Sequence, residues 1–171
     1  MFEGIVISIN IASAAEAPMH QVNEARAIPG RGLEGDRYFF RQGTYYKPQP
    51  DRELTLIEAE AIEALRSEFQ VDFGLSASRR NIVTRGIRLN ELVGMTFWVG
   101  DALCLGTHLC EPCRHLEELT RMPLLRPLVH RGGLRAKLLE GATLEIGDRV
   151  APLGVQNGAG VRLRPGLPAH T

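Results

Sequence analysis

The chain has 171 residues, with 20 basic and 20 acidic side chains and a formal net charge of zero. This length is typical of one domain with its own hydrophobic core, and the charge balance gives no reason to expect nucleic acid or an acidic membrane as a partner. The first apolar run follows no basic segment and is too short to span a bilayer, and three cysteines favour a reducing compartment, so we expect a cytoplasmic protein without a signal peptide or membrane helix.

Short apolar stretches separated by glycine predict a mainly β fold with a few helices. Segments 2–12, 21–28 and 81–84 have the composition of strands. A capping box of Thr55 and Glu58, followed by apolar Ile62, Leu65 and Phe69 at helical spacing, predicts a helix over about 56–69.

Two segments, 94–103 and 141–150, share one pattern: Gly-x-Thr, an alternating run, Gly-Asp and a second run. Gly-Asp between alternating runs predicts a β-hairpin, because glycine supplies the positive φ of a tight turn. Repeated corners of this kind are typical of a β-barrel and indicate no function. Residues 151–171 are rich in glycine and proline without periodicity, so we predict one domain over 1–150 and a loosely held tail.

Cys113 is the strongest candidate for chemistry. Pro112 suits the first position of a helix, so the pattern predicts a helix start with Cys113 in its first turn, where backbone N–H groups favour an anion. Arg114 and His115 add positive charge beside it. These conditions lower the pKa of a thiol, and the resulting thiolate attacks electrophiles or binds soft metals.

The other thiols suggest weaker alternatives. The Cys110-x-x-Cys113 spacing suggests zinc with His108 and His115, but a structural zinc site usually has a second paired motif. A redox pair of the thioredoxin kind needs a βαβ context, which the pattern does not predict. Cys104 lies in an alternating run and is expected to be a packed small hydrophobic residue.

Three further segments combine glycine with basic residues: 29–38, 78–83 and 131–137. Glycine lets backbone N–H groups approach an anion, and paired arginines suit bidentate contact with phosphate. The alternative for each segment taken alone is a solvated surface loop or a charged strand end.

Taken in order, the motifs resemble the MOSC domain family, named for the C-terminal domain of molybdenum-cofactor sulfurases. The matching segments are 32–37, 79–83, 94–102, the Pro112-Cys113 pair, 131–136 and 141–150. The resemblance implies a β-barrel with peripheral helices, as in the barrel domain of pyruvate kinase. It also implies that Cys113 is the family's defining cysteine.

In family members that bind the molybdenum cofactor, the equivalent cysteine ligates molybdenum through sulfur; in sulfurases it is proposed to carry a persulfide. The resemblance therefore implies that Cys113 is the catalytic residue and metal ligand. It further implies contacts to the pyranopterin from the loops that combine glycine with basic residues: Gly35, Asp36, Arg37, Arg79, Arg80, Asn81, Arg131, Gly133 and Arg135.

The leading hypothesis is a cofactor-binding protein that reduces N-hydroxylated small molecules with electrons from a separate donor. The alternative is a sulfur carrier with a persulfide on Cys113, no metal, and donor and acceptor proteins as partners. A third is a partner-binding barrel with an inert thiol. Tyr38 stands where the family often has histidine, and Cys110 is an extra thiol whose disulfide with Cys113 would interfere. We expect no pyridoxal-phosphate domain, extra barrel domain or ferredoxin module in this chain.

Overall fold

The computed structural model describes residues 2–48 and 51–154. The strands are β1 (Phe2–Ile11), β2 (His20–Val22), β3 (Glu24–Ile28), β4 (Gly32–Leu33), β5 (Leu54–Glu58), β6 (Ile82–Ile87), β7 (Thr96–Val99), β8 (Ala102–Leu109), β9 (Leu134–Glu140), β10 (Ala142–Glu145) and β11 (Arg149–Pro152). The helices are α1 (Ala59–Phe69), α2 (Arg114–Thr120) and α3 (Leu125–Leu128), and short 3-10 turns cover Leu75–Ser78 and Leu89–Leu92.

Seven strands close into a barrel in the order β11-β7-β8-β9-β5-β6-β1, with β1 pairing back to β11. Strands β5 and β6 pair in parallel, whereas β5 with β9 and β6 with β1 pair antiparallel. Strand β2 extends the sheet from the far end of β1, and β10-β3-β4 form a second small sheet. The predicted mainly β barrel with peripheral helices is confirmed.

Two apolar clusters account for the packing. The barrel interior holds fully buried side chains such as Val6, Ile9, Leu56, Phe97 and Leu134. A second cluster lies outside the barrel, where the helices cover β5 and β6 with Ile57, Ile62, Leu65, Val83, Leu116, Leu124 and Leu128. Cys113 packs at the margin of this second cluster, which places the thiol where a helix meets the barrel wall.

The predicted helix over 56–69 begins later than expected. Residues Leu54–Glu58 form strand β5, and α1 begins at Ala59. Thr55 does not cap the helix, because its hydroxyl bonds instead to the side chain and backbone of Asn81. The run 54–57 is buried and pairs with β6 and β9 on both sides, so strand pairing overrides the local capping pattern. Ile62 and Leu65 are buried, as the helical spacing predicts.

The two repeated segments have different structures. The first forms the predicted hairpin of β7 and β8, with Val99 opposite Ala102 and Gly100 at φ +55°. The second is not a hairpin: β10 pairs with β3, whereas β11 pairs with β1 and β7. Its Gly-Asp turn carries the chain from one sheet to the other.

Two other predicted boundaries shift. The strand expected over 21–28 divides into β2 and β3, which join different sheets. Strand β11 includes Ala151 and Pro152 and so runs two residues past the expected domain end. The rest of the predicted tail, from residue 155 on, lies outside the described residues. In the two described ranges, no helix has the length and apolar character needed to cross a membrane.

Candidate functional site

An open pocket, here called the cysteine pocket, lies between the loop over residues 37–45, the start of β6 and helix α2. It is lined by Arg37, Tyr38, Thr44, Tyr45, Arg79, Arg80, Cys113, His115, Leu116 and Leu119. The fold therefore brings four of the predicted site residues together from three distant segments: Arg37, Arg79, Arg80 and Cys113.

The sequence predicts Cys113 in the first turn of a helix, but in the structure it is the N-cap residue that precedes α2. Its backbone is extended, with φ −136° and ψ 161°, and its carbonyl oxygen accepts the first helical hydrogen bond, from the N–H of Leu116 at 3.0 Å. The preceding residues are held by other partners, since the N–H of Cys110 donates to the carbonyl oxygen of Gly133 at 2.7 Å. Pro112 consequently precedes the helix instead of opening it.

The Cys113 sulfur has a tyrosine hydroxyl beside it. Tyr45 Oη lies 3.7 Å from Cys113 Sγ, within hydrogen-bonding range for sulfur. This hydrogen bond, together with partial burial and the charge on sulfur, raises the pKa of Tyr45. The hydroxyl therefore keeps its proton and can donate to the sulfur. The ring of His115 packs edge-on against Tyr45, with centroids 5.8 Å apart.

Arg37 forms the inner wall of the pocket. Only 6% of the residue is exposed, and its Nη1 donates to Asp36 Oδ1 at 3.0 Å. Its Nη2 donates to the carbonyl oxygen of Arg79 at 3.2 Å, so Arg37 also holds the neighbouring segment. Asp36 is itself buried and fixed by the N–H groups of Ala12 and Tyr38. Asp36 and Arg37 thus hold neighbouring segments in place, and Arg37 also lines the pocket.

Arg79 makes fewer side-chain hydrogen bonds than Arg37 or Arg80. Its residue adopts φ +58° and its Nη1 donates to the carbonyl oxygen of Ala17 at 2.8 Å. Burial, followed by the nearby charge of Arg37, lowers the pKa of Arg79. In the described part of the chain no carboxylate forms an ion pair with it. An anion bound in the pocket would relieve this electrostatic cost.

The guanidinium group of Arg80 donates hydrogen bonds to three main-chain carbonyl oxygens. Nε donates to Gly132 at 2.9 Å, Nη2 to Cys110 at 3.0 Å and Nη1 to Ser78 at 3.3 Å. These bonds connect the start of β6 with the loop before Cys113 and the loop before β9. Arg80 lines the cysteine pocket, but its donors are committed to holding its walls together.

Several predicted cofactor contacts lie outside the pocket lining. Asn81 is 1% exposed, and its side chain bonds to Thr55 and to the carbonyl oxygen of Asn10. Gly35 has φ +87°, and a Cβ there would meet Ile11 Cδ1 at 3.3 Å. Gly133 has φ +109° and lies so close to Leu56 that a Cβ would overlap its carbonyl oxygen. These three residues support the loops rather than face the open space.

The two remaining predicted contacts lie elsewhere. Arg131 pairs with Glu68 at 3.0 Å beside a separate groove along α1. Arg135 lies in β9 opposite Thr55 and His108. Burial opposes ionisation of Asp51, but its bond with Arg52 and the charges of Arg52 and Arg135 lower the pKa of Asp51 overall.

Sequence patterns missed Thr44 and Tyr45, which sit in a polar loop without periodicity. One signal was available: all three tyrosines of the chain fall within residues 38–46. Two of them, Tyr38 and Tyr45, line the cysteine pocket.

The three thiols differ in environment and none is bonded to another. Cys104 is fully buried in β8, as predicted, and burial raises the pKa of Cys104 to about 12. Cys110 is buried, whereas Cys113 is partly exposed. Among residues 2–48 and 51–154, no three His, Cys, Asp or Glu side chains are grouped so as to hold a metal ion, and the structure therefore offers no support for the zinc alternative.

Comparison with known proteins identifies the family. The family model for the MOSC domain matches residues 41–151, which leaves the 32–37 motif outside the match. Among solved structures, the YuaD protein from Bacillus subtilis superposes with a TM-score of 0.72 at 16% identity, covering 88% of this chain and 97% of that one. YiiM from Geobacillus stearothermophilus gives 0.69 at 14% identity, covering 88% and 75% of the two chains.

YiiM from Escherichia coli gives a TM-score of 0.67 at 19% identity, covering 90% of this chain and 70% of that one. At these identities the likeness establishes the fold alone. The search of curated proteins finds no match. The family model spans well over half of the chain, and the chain belongs to the MOSC domain family, which is associated with binding of the molybdenum cofactor.

Proposed function

We propose that the cysteine pocket binds the molybdenum cofactor, with the sulfur of Cys113 as the protein ligand to molybdenum. The observation that carries this proposal is the juxtaposition of a free, partly exposed thiol with Arg79, a half-buried cation without a carboxylate partner in the described chain. A thiolate is a soft ligand suited to molybdenum. Guanidinium groups suit the phosphate of the pyranopterin.

The pocket residues divide between contact and support in this proposal. Arg79 would contact the anionic part of the cofactor, because it lines the pocket and no carboxylate in the described chain pairs with it, and Arg37 would add positive charge from the buried wall. Arg80 would hold the loop that carries Cys113, since its donors are bonded to main-chain oxygens. Tyr45 Oη would keep a proton near the sulfur. When bound, the cofactor would supply two-electron oxygen-atom transfer chemistry.

We further propose that the substrates are N-hydroxylated small molecules. In the net reaction an R–NHOH compound takes up two electrons and two protons, the N–O bond breaks, and the products are R–NH₂ and water. The electrons would come from a separate reductase. The family resemblance supports this substrate class, and the open access to the cysteine pocket is compatible with a small molecule.

The competing function is a sulfur carrier without metal. In that case the Cys113 thiolate would attack the outer sulfur of a donor protein's persulfide, leaving the donor as a thiol and Cys113 as a persulfide. The hydrogen bond from Tyr45 favours this chemistry as well, because it stabilises negative charge on sulfur.

The deciding experiment measures what copurifies with the protein. Protein made in a host that synthesises the molybdenum cofactor is assayed for molybdenum by mass spectrometry, for pterin by fluorescence after oxidation, and for sulfur released by cyanide. We expect stoichiometric molybdenum and pterin in the wild type, loss of both in Cys113→Ser, and retention in Cys110→Ser. Cyanide-labile sulfur without metal would establish the sulfur carrier, and normal loading of Cys113→Ser would refute the site.

A further inference from the structure

A second pocket adjoins the first at the ring of Tyr38. This basic pocket is open to solvent and shares only Tyr38 with the cysteine pocket. Its lining is Gly30, Arg31, Tyr38, Arg41, Tyr46, Lys47, Pro48, Arg52 and Glu53.

Four cationic side chains line this pocket, and two of them form neither an ion pair nor a cation–π contact with any described residue. Arg52 is paired with Asp51 at 3.2 Å, and Arg31 stacks over the ring of Phe39 at 4.5 Å. Arg41 and Lys47, in contrast, form no ion pair with any residue in the described ranges. Their charges are available to an anion.

The acidic residue in the lining does little to neutralise them. Glu53 is buried, and its Oε2 accepts a hydrogen bond from the N–H of Leu138 at 2.7 Å, which fixes the carboxyl group against the barrel wall. Burial raises the pKa of Glu53, although the N–H groups of Leu138 and Gly30 and the charge of Lys137 oppose the rise. The pocket therefore remains positive in balance.

Aromatic surface accompanies this charge. Tyr38 and Tyr46 both line the pocket, and Tyr46 is 37% exposed, so part of its ring is accessible. Aromatic side chains bind flat heterocycles by stacking, and this interaction tolerates different bases. A ligand that matches both features carries a phosphate and an aromatic ring.

We propose that the basic pocket is a second ligand site, which binds a nucleoside monophosphate. Arg41 and Lys47 contact the phosphate, and the base stacks against the tyrosine side of the pocket. This site does not depend on the proposed role of Cys113, because the basic pocket contains no thiol.

The test is calorimetric titration of the full chain, free of cofactor, with AMP, GMP, adenosine, guanosine and inorganic phosphate at low salt. We expect both nucleotides to bind more tightly than the nucleosides or phosphate alone. Arg41→Gln combined with Lys47→Gln should weaken AMP binding by tenfold or more. The matched control, Arg88→Gln with Arg126→Gln, removes the same charge from exposed positions outside the basic pocket and should bind AMP as the wild type does.

Further variants separate the two pockets. Tyr46→Ala should weaken AMP binding and Tyr46→Phe should preserve it, because phenylalanine keeps the ring. Cys113→Ser should bind AMP normally even if molybdenum loading fails. Unchanged affinity in the Arg41 and Lys47 double variant overturns the proposal, as does loss of AMP binding in Arg79→Ala alone. Equal affinity for AMP and inorganic phosphate would show an anion site without nucleotide recognition and would overturn it too.

Discussion

Arg80 Nη2 donates a 3.0 Å hydrogen bond to the carbonyl oxygen of Cys110, 30 residues further along the chain. The same guanidinium bonds to Gly132, so one side chain holds both loops that flank the helix start at Cys113. A planar group with several fixed donors is suited to this task, and a lysine ammonium is not. The position of the Cys113 sulfur therefore depends on a charged residue that need not touch a ligand.

We predict that Arg80→Ala lowers the free energy of unfolding by about 2–4 kcal/mol, because buried carbonyl groups lose charged donors. Arg80→Lys should recover only part of this loss. Urea unfolding measures the effect, and the rate of Cys113 alkylation in the folded protein reports whether the loop has moved. Arg131→Ala, which removes an exposed pair with Glu68, should change stability by no more than about 0.5 kcal/mol. Wild-type stability and alkylation in Arg80→Ala would assign Arg80 to ligand contact instead.

The three thiols should react with iodoacetamide in a fixed order. Cys113 is partly exposed and should be modified first in the native protein. Cys104 is inaccessible and burial raises its pKa to about 12, so it should react only after unfolding. Cys110 is 7% exposed and should react slowly. Peptide mass spectrometry over a time course checks this order, with protein unfolded in urea as the control; modification of Cys104 at the native rate of Cys113 would contradict the fold around β8.

The barrel was predictable because its signals are local. The hairpin of β7 and β8 follows from Gly100-Asp101 between alternating runs, and buried Cys104 follows from its place in such a run. The identical Gly-Asp pattern before β11 gives no hairpin, because its flanking strands find partners far away in sequence. The capping pattern at Thr55 fails for the same reason. In both cases the structure is decided by pairing with strands that are distant in sequence, which a local pattern cannot predict.

The candidate site was predictable only in part. One pocket contains four of the residues that the family resemblance implies: Arg37, Arg79, Arg80 and Cys113. The sequence alone gives no reason to distinguish the adjacent Arg79 and Arg80. The structure separates them: Arg80 is bonded to three main-chain oxygens, whereas Arg79 has one such bond and a lowered pKa. Tertiary contacts decide which guanidinium donors remain available to a ligand, and the sequence motif therefore does not reveal it.

Arg79 and Arg131 provide a direct test of which arginines contact the cofactor. Arg79 lines the cysteine pocket, whereas Arg131 pairs with Glu68 beside a different groove. We expect Arg79→Ala to lower the pterin content of purified protein severalfold and Arg131→Ala to leave it unchanged, although both remove one positive charge. Fluorescence of oxidised pterin, normalised to protein, gives the comparison. Equal losses would indicate an effect of overall charge rather than contact.

Gly133 should be intolerant of a side chain for reasons of packing. Its φ of +109° disfavours other residues, and a Cβ would overlap the carbonyl oxygen of Leu56 in the adjacent strand. We expect Gly133→Ala to cost about 2–4 kcal/mol of unfolding free energy. Gly74→Ala is the control, since its Cβ meets nothing within 4 Å and its φ is −72°. Similar stabilities of the two variants in urea would show that the β5–β9 contact is looser than described.

Cys104 should make the protein less stable at alkaline pH. Burial raises the pKa of Cys104 to about 12, whereas an unfolded thiol ionises near about 8.5. Above that unfolded value, the unfolded chain releases a proton that the folded chain retains, so stability falls as pH rises towards 12. The contribution is fully present below the unfolded pKa and declines by up to about 1.4 kcal/mol per pH unit within the window.

The measurement is the difference in unfolding free energy between wild type and Cys104→Ala, under reducing conditions. Near about pH 8 the wild type should be more stable, because the alanine leaves part of the packed volume in β8 empty. Near about pH 10 this advantage should shrink by about 1–2 kcal/mol, since only the wild type carries the linked ionisation. Other titrating groups are common to both proteins and cancel. A difference that stays constant between the two pH values would show that the Cys104 thiol ionises as readily in the folded chain as in the unfolded one.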